Sequence, residues 1–220
     1  MSLESMGNTE PEPGADADAQ AEAGDRERFR LLDDPVVIRA LAHPLRLELM
    51  SVTGHAGQIT TADAARELGI SHGLASHHLR QLAKYGFVQQ VGGKDRRERP
   101  WRLTYTSMSW RETVVRPDVD TAAQVYEEVL AERAVAGLRS WLRRRGSWPA
   151  PWRQHTGLGQ STVYLTLPEL AELELAMEAL ITRYVTERPL DDVGSRPEGS
   201  VPVDITQIIT IPHGPPPGAA

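Results

Sequence analysis

The chain has 220 residues, 40% of them hydrophobic, a formal net charge of −6 and no cysteine. This length and apolar content suffice for one large or two small domains. The lack of cysteine excludes disulfides, thiolate metal ligands and a cysteine nucleophile. No apolar run approaches the roughly 18 residues of a membrane-spanning helix, and the first residues are acidic rather than basic, so the sequence predicts a cytoplasmic protein.

Residues 1–28 consist mainly of Glu, Asp, Ala, Gly and Pro. We expect this tail to be disordered, because it cannot bury enough apolar surface to offset the entropy of ordering. Its net charge is −6, equal to that of the whole chain, so the remainder is neutral. Two interpretations are open: a solubilising leader or cloning remnant, or a segment that competes with a polyanion for basic residues further along the chain.

Two helices are predicted within residues 33–54. The first follows Asp34 and has Pro35 in its first turn, where the missing N–H of a proline costs nothing. His43 is expected to be a turn residue, and Pro44 starts the second helix. We expect both helices to support the elements that follow.

A helix-turn-helix pattern comes next. Thr60 is a good N-cap for a helix that ends at Gly69, with Asp63 in the capping-box position. Ser71 caps a second helix, which Gly86 ends. In helix-turn-helix proteins this second, recognition helix enters the major groove of DNA by its N-terminal end.

The predicted recognition helix, about residues 71–84, has one apolar face and one face of small, polar and basic residues. Gly73 would let the backbone approach a phosphate or a base edge, and the helix N-terminus favours a phosphate. An ordinary solvated helix shows the same alternation, so the flanking elements decide between the two interpretations. The candidate DNA-contacting residues on this helix are Ser71, His72, Gly73, Ser76, His77, Arg80 and Lys84.

The next predicted element is a β-hairpin with a basic tip. Residues 87–91 and 101–105 are β-prone, and residues 92–100 between them are turn-forming and charged. Between Ser71 and Arg111 the net charge is +6, in a chain whose total is −6. Such a locally basic module is what a polyanion-binding surface requires. The candidate DNA-contacting residues at the tip are Lys94, Arg96, Arg97 and Arg99.

Four short runs together resemble the ArsR-type winged-helix repressors over about residues 33–106. They are Ala40-Leu41-Ala42-His43-Pro44-Leu45-Arg46-Leu47, Leu68-Gly69-Ile70-Ser71, Ala75-Ser76-His77-His78-Leu79-Arg80-Gln81-Leu82 and Gly86-Phe87-Val88. The resemblance implies a winged helix in which residues 71–80 read the groove and the hairpin, or wing, holds the DNA backbone. Many members of that family sense metals through cysteines, which this chain lacks.

The second half of the chain is predicted to form an α+β accessory domain. A long helix, from Asp118 or Asp120 to about Arg145, has a broad apolar face. A capping box at Thr166 opens a second helix that reaches about residue 188. Residues 161–165 and 203–211 are β-prone. The order of these elements also resembles the C-terminal extension of some actinobacterial ArsR-like regulators.

Three roles are open for this half: homodimerisation, effector binding and catalysis. Homodimerisation would double the DNA contacts and read two half-sites one helical turn apart; the long helix is favoured as the interface over the capped helix, whose apolar spacing is coiled-coil-like. A small-molecule effector is the second role, since Trp141, Trp148, Trp152 and Tyr164 could line a pocket, although such aromatic residues more often form core. The sequence contains no common catalytic or nucleotide-binding motif, so we expect neither an enzyme nor a cofactor.

The histidines are not spaced for a metal site. His77 and His78 are adjacent and are expected to point apart on a helix, and His72 is poorly spaced from both. His77 is a candidate for a pH-dependent phosphate contact, whereas His78 is expected to be a hydrogen-bonded packing residue. Arg46 either contacts a phosphate, or it caps a helix or extends into solvent.

The sequence therefore predicts a mainly α protein with a small β content. Its parts are an acidic disordered tail (1–28), a winged helix-turn-helix DNA-binding domain (29–115), a helical or α+β dimerisation or effector domain (116–212) and a second disordered tail (213–220). The predicted function is that of a homodimeric repressor that binds specific sequences of double-stranded DNA. The alternative is a winged-helix protein-interaction module without DNA binding, which would have no reason to concentrate four basic residues at one hairpin tip.

Overall fold

A computed structural model describes residues 29–92, 99–105, 107–109, 116–212 and 214. The first half contains β1 (Phe29–Leu31), α1 (Pro35–Leu41), α2 (Pro44–Ala56), α3 (Thr61–Leu68), α4 (His72–Lys84), β2 (Val88–Gln90), β3 (Trp101–Leu103) and β4 (Ser107–Ser109). The second half contains α5 (Pro117–Arg144), α6 (Ala150–Gln154) and α7 (Leu167–Glu187), with 3-10 turns at Arg145–Ser147 and Val193–Ser195. The fold is mainly helical, as the sequence predicts.

Side-chain caps set the helix starts where the sequence places them. Asp34, Thr60, Ser71 and Thr166 each accept a hydrogen bond from a backbone N–H of the helix that follows. One helix end differs from the expectation, because α2 continues past Gly54 to Ala56 and stops at Gly57, whose φ of 72° suits a residue without a Cβ. Start signals were reliable because the cap is a local interaction.

The wing is present as an antiparallel pair of β2 and β3, with Val88 opposite Leu103 and Gln90 opposite Trp101. The predicted tip residues 93–98 lie outside the described residues. Trp101 holds the wing against the helices: its backbone pairs with that of Ile59, and its indole N–H donates to the Thr61 hydroxyl at 3.0 Å. The wing is thereby fixed to the start of α3.

A parallel pairing of β1 with β4 was not predicted. Phe29 lies opposite Ser107 and Leu31 opposite Ser109. A strand of three residues is too short to show an alternating pattern, and its partner is 78 positions away in the chain. The pairing closes the winged helix by joining its first strand to the strand after the wing.

The described residues divide into two compact units, residues 1–129 with 162–196 and residues 130–161 with 197–220. The core of the first unit lies between the helices and the wing, and includes Ile38, Leu41, Leu49, Leu79, Leu82 and Phe87. The last residues of this unit also join it: a Cβ on Gly54 would lie 3.3 Å from Leu190, and Arg196 donates to the carbonyls of Gly54 and His55. In the second unit Trp148 lies edge-on to Trp141 and to Trp152, with ring centroids 5.5 and 5.9 Å apart.

Three expectations for the second half need correction. Residues 161–165 and 203–211 form no strand. The broad apolar face of α5 is buried only at Val119, Ala122 and Tyr126, and α7 has no buried residue. Tyr164 is 99% exposed, so its side chain lines no pocket among the described residues. Strand formation and burial both need partners that the local pattern does not supply. No described helix is long and apolar enough to cross a membrane.

Candidate nucleic-acid interface

The orientation of α4 follows from its buried side. Ala75, His78, Leu79 and Leu82 are buried, and α4 packs against α1, α2 and α3. The turn before it passes through Gly69, whose φ of 63° is the left-handed conformation that ends α3. The side chain of Ser71 then starts α4 by accepting the N–H of Leu74 at 3.2 Å. The opposite face of α4 is therefore presented to solvent.

The structure brings the predicted residues of the recognition helix together on that face. Ser71, His72, Gly73, His77, Arg80 and Lys84 are exposed, and Ser76 is half-buried. A Cβ added to Gly73 would find no atom within 4 Å. This face therefore offers hydroxyl, imidazole and cationic groups along about four helical turns.

The wing adds positive charge at its described end. Arg99 is exposed and Arg102, on β3, is half-buried. Lys94, Arg96 and Arg97 lie outside the described residues, so their contribution stays a prediction.

A histidine pair links α4 to the helices behind it. The rings of His43 and His78 lie 4.5 Å apart, and those of His77 and His78 lie 5.1 Å apart, edge to face. His77 is exposed and His78 is buried, as expected of side chains that point apart, but their rings are nevertheless in edge-to-face contact. His43 is more than a turn residue, since its Nδ1 caps α2 by accepting the N–H of Leu45 at 3.2 Å.

Both histidines of this pair favour the neutral form. Burial lowers the pKa of His78, which is 6% exposed, and the neighbouring His43, Arg46 and His77 lower it further. Burial also lowers the pKa of His43, with Arg46 as the next cause. The Nδ1 of His78 has no hydrogen-bond partner among the described residues, so the prediction of a hydrogen-bonded packing residue is wrong at that atom.

Arg46 and Arg30 are committed to the scaffold. The guanidinium of Arg46 donates to the carbonyl of Ala40, across the turn between α1 and α2. Arg30 donates to the carbonyl of Tyr85 at the end of α4, and its guanidinium lies 4.7 Å from the centre of the Phe87 ring. Sequence reasoning missed Arg30, because nothing local marks a contact between residues 55 positions apart.

No group of three or more His, Asp or Glu residues that could hold a metal ion occurs in the part of the chain that the structure describes. What these residues do present is a basic, hydrogen-bonding helix face beside a wing, with the chemistry to bind phosphates and base edges.

Comparison with known proteins supports the helix-turn-helix assignment. Residues 41–91 match the family model described as a helix-turn-helix domain. This range runs from the end of α1 to the end of β2 and covers about a quarter of the chain. No curated protein matches the chain.

Three solved structures illustrate the regulators to which the chain is similar. Wild-type MarR from E. coli is 13% identical with a TM-score of 0.28, over 79% of this chain and 99% of that one. A MarR mutant complexed with operator DNA is 15% identical with a TM-score of 0.28, over 77% and 94%. The heme sensor PefR from Streptococcus agalactiae, in complex with heme, is 17% identical with a TM-score of 0.29, over 80% and 90%.

The matched domain and the observed wing support a winged-helix transcription regulator. The narrower ArsR-type assignment stays a prediction. The chain contains a helix-turn-helix domain at residues 41–91.

Proposed function

We propose that this chain is a cytoplasmic, ArsR-like transcriptional repressor that binds specific double-stranded DNA as a homodimer. The observation that carries the proposal is the single exposed face of α4, which gathers six predicted contact residues within a matched helix-turn-helix domain. In this proposal α4 lies in the major groove and the wing lies along the backbone.

The dimensions of α4 suit the major groove. A helix with its side chains is about 10–12 Å wide and the groove is about 12 Å wide. Residues 71–80 rise over about 14 Å, the length of about four base pairs. Arg80 is the exposed residue best suited to a base, because a guanidinium can donate two hydrogen bonds to a guanine edge. Ser71, whose hydroxyl already caps α4, is better placed to set the helix end against a phosphate.

The wing supplies contacts that do not depend on sequence. Lysine and arginine on a hairpin neutralise phosphates and release counterions, so they raise the affinity for all sequences together. The local charge of +6 between Ser71 and Arg111 supports this role in a chain that is otherwise acidic.

The homodimer doubles these contacts. Two copies related by a two-fold axis would read half-sites about 34 Å apart, one turn of DNA. The α5 helix is the proposed interface, because the described residues bury its apolar face only at Val119, Ala122 and Tyr126. A repressor then acts by occupying its operator. An effector site in residues 116–212 remains a prediction. The side chains of Trp141, Trp148 and Trp152 pack edge to face on one another, and none of them is buried.

The test compares two arginine variants for binding to a selected operator and to random duplex DNA. We expect Arg80→Ala to cost about 1–3 kcal/mol on the operator and to relax the preference at one base position. Arg96→Ala in the wing should weaken binding to both duplexes alike and reduce the slope of log affinity against log salt by about one.

Equal loss of specificity from both variants, or from neither, contradicts the placement of α4 in the groove. Absence of any salt-dependent duplex binding by the full chain would instead favour a protein-interaction module.

A further inference from the structure

Residues 203–211 have the alternating pattern of a strand but form no strand in the single chain. Apolar residues occupy the odd-numbered positions except for Gln207, and Asp204 and two threonines are among the even-numbered ones. The segment makes no backbone hydrogen bond to any residue in the described ranges. Its large apolar side chains are 44% to 73% exposed; they are Val203, Ile205, Ile208, Ile209 and Ile211. The backbone groups of this segment therefore have no hydrogen-bond partner among the described residues, and its apolar side chains are largely exposed there.

We propose that residues 203–211 pair as an antiparallel strand with the same segment of a second copy of this chain, with Gln207 on the two-fold axis. Such an isologous pairing uses one surface on both copies and closes at a dimer.

The two prolines that bound the segment fix its length and its centre. Pro202 and Pro212 each lie five residues from Gln207. Because proline has no N–H to donate to a ladder, it is expected at the ends of a pairing and not inside it. A two-fold axis at Gln207 places Pro202 of one copy opposite Pro212 of the other, so both ends of the ladder stop together.

The side chains favour the same register. Directly opposite residues in an antiparallel pair point to the same face. With the axis at Gln207, Val203 faces Ile211 and Ile205 faces Ile209, and the two glutamines face each other. An axis at residue 206 or 208 would place Gln207 opposite an isoleucine. The proposed register therefore gives one continuous apolar face interrupted only by a glutamine pair.

The apolar face of the segment offers surface to a partner. At about 100 Å² for each fully exposed Val or Ile side chain, Val203, Ile205, Ile209 and Ile211 together expose about 240 Å². A stable interface buries about 800 Å² on each partner, so this face supplies one part of the dimer contact.

This pairing deepens the homodimer part of the proposed function and does not depend on DNA binding. It adds a second symmetric contact to the one proposed on α5. All tests below are made without DNA, so loss of DNA binding and loss of the pairing are distinguishable.

The absence of cysteine from the chain allows a direct test by disulfide formation. In the full-length Gln207→Cys variant, the two cysteines would be opposite each other, with Cα atoms about 4.5 to 5.5 Å apart, a separation that a disulfide spans. The matched control is Val203→Cys, on the same segment, where the two cysteines would be about 27 Å apart along the ribbon. Under mild oxidation we expect a disulfide-linked dimer as the main product for Gln207→Cys and little for Val203→Cys. Equal cross-linking of the two variants, or of neither, overturns the proposal.

A second pair of full-length variants tests the apolar face by sedimentation. Ile205→Lys places a charge on the proposed buried face, and we expect it to raise the dimer Kd at least about tenfold. Thr206→Lys places the same charge on the other face, where we expect a change of less than about threefold. Because both residues lie outside any helix or strand, neither change should unfold the chain. Equal dimer Kd values for the two variants would show that this face is not at the interface.

Discussion

At position 78 a histidine occupies a buried place on the inner face of α4, between Ala75 and Leu82. Its ring lies 4.5 Å from that of His43, with the two ring planes tilted by 46°. Burial lowers the pKa of both histidines, and Arg46 from α2 and His77 from α4 lower it further. A proton on His43 would also occupy the Nδ1 that caps α2. Both the packing of α4 and the start of α2 therefore require neutral imidazoles.

This arrangement predicts that stability falls as the pH drops below about 6.5. In the unfolded chain both histidines have the usual pKa near 6.5. As the pH falls through that value, the unfolded state takes up protons that the folded state, with its lowered pKa values, does not. The loss continues down to the folded pKa values. We expect the Tm, measured by circular dichroism, to be lower at pH 5.5 than at pH 8, and the difference to be smaller in His78→Leu and in His43→Asn.

A retained helix cap and a packing control separate the titration of the two histidines from changes in packing. Asparagine is a good N-cap that does not titrate, so His43→Asn preserves the start of α2. Leu82→Met, on the same buried face, changes the packing without removing a titrating group and should keep the full pH difference. A pH difference that is the same in all four proteins would contradict the role of the pair.

At the residue scale, the sequence predicted which side chains of α4 are exposed, because the period of 3.6 residues fixes the faces of a helix. It did not predict the contact between the rings of His43 and His78, which joins residues 35 positions apart. The DNA contacts of the exposed residues stay a prediction.

At the scale of the elements, the last carbonyls of α2 accept hydrogen bonds from a residue in a distant part of the chain. The last carbonyls of a helix have no intrahelical partner. Arg196 donates to the carbonyls of His55 at 2.8 Å and Gly54 at 3.0 Å, and to that of Leu190 at 2.8 Å. One guanidinium thus joins the helix end to the segment that follows α7.

We expect Arg196→Ala to lower the free energy of unfolding by about 1 kcal/mol, since these hydrogen bonds are partly exposed to solvent. Arg196→Lys keeps the charge but lacks the planar fork, so it should recover only part of the loss. Urea unfolding of the full chain measures both values. An Arg196→Ala variant as stable as the wild type would mean that solvent replaces these bonds without cost.

The elements also show where local reasoning fails. The caps at Thr60, Ser71 and Thr166 were predictable because the interacting groups are within three residues of each other. The strands predicted at residues 161–165 and 203–211 are absent from the single chain. The prediction failed because β-propensity describes a fit to a neighbouring strand rather than an intrinsic backbone preference.

For the whole molecule, the proposed dimer through α5 predicts that Leu142→Asp weakens self-association. Leu142 is 53% exposed in one chain, and burying a leucine contributes about 1.5–3 kcal/mol. We therefore expect the dimer Kd to rise about tenfold to a hundredfold in sedimentation experiments.

The matched control is Gln124→Asp, which adds the same charge at an exposed polar position of α5. The substitutions are made in the full chain, since residues 162–196 belong to the same compact unit as the winged helix and a truncation would damage it. A dimer Kd that Leu142→Asp leaves unchanged would remove α5 from the interface.

At this scale the sequence predicted the helix-turn-helix and the wing, but neither the β1–β4 pairing that closes the winged helix nor the packing of the second half. The first half contains a helix-turn-helix domain whose helices bury their apolar faces on one another, so each pattern finds its partner nearby in the chain. In the second half the described residues bury α5 only at Val119, Ala122 and Tyr126, and they bury no residue of α7. An apolar helix face in the sequence indicates that the helix packs against a partner, but it does not identify that partner.

Gly73 has a consequence for how the binding preference of such a chain can change. A Cβ at this position would meet no described atom within 4 Å, and Gly73 lies in the exposed first turn of α4. We therefore expect Gly73→Ala to leave the winged helix folded. In the proposed complex with DNA, a side chain at this position would meet the groove, so substitutions here would change the sequence preference without unfolding the protein.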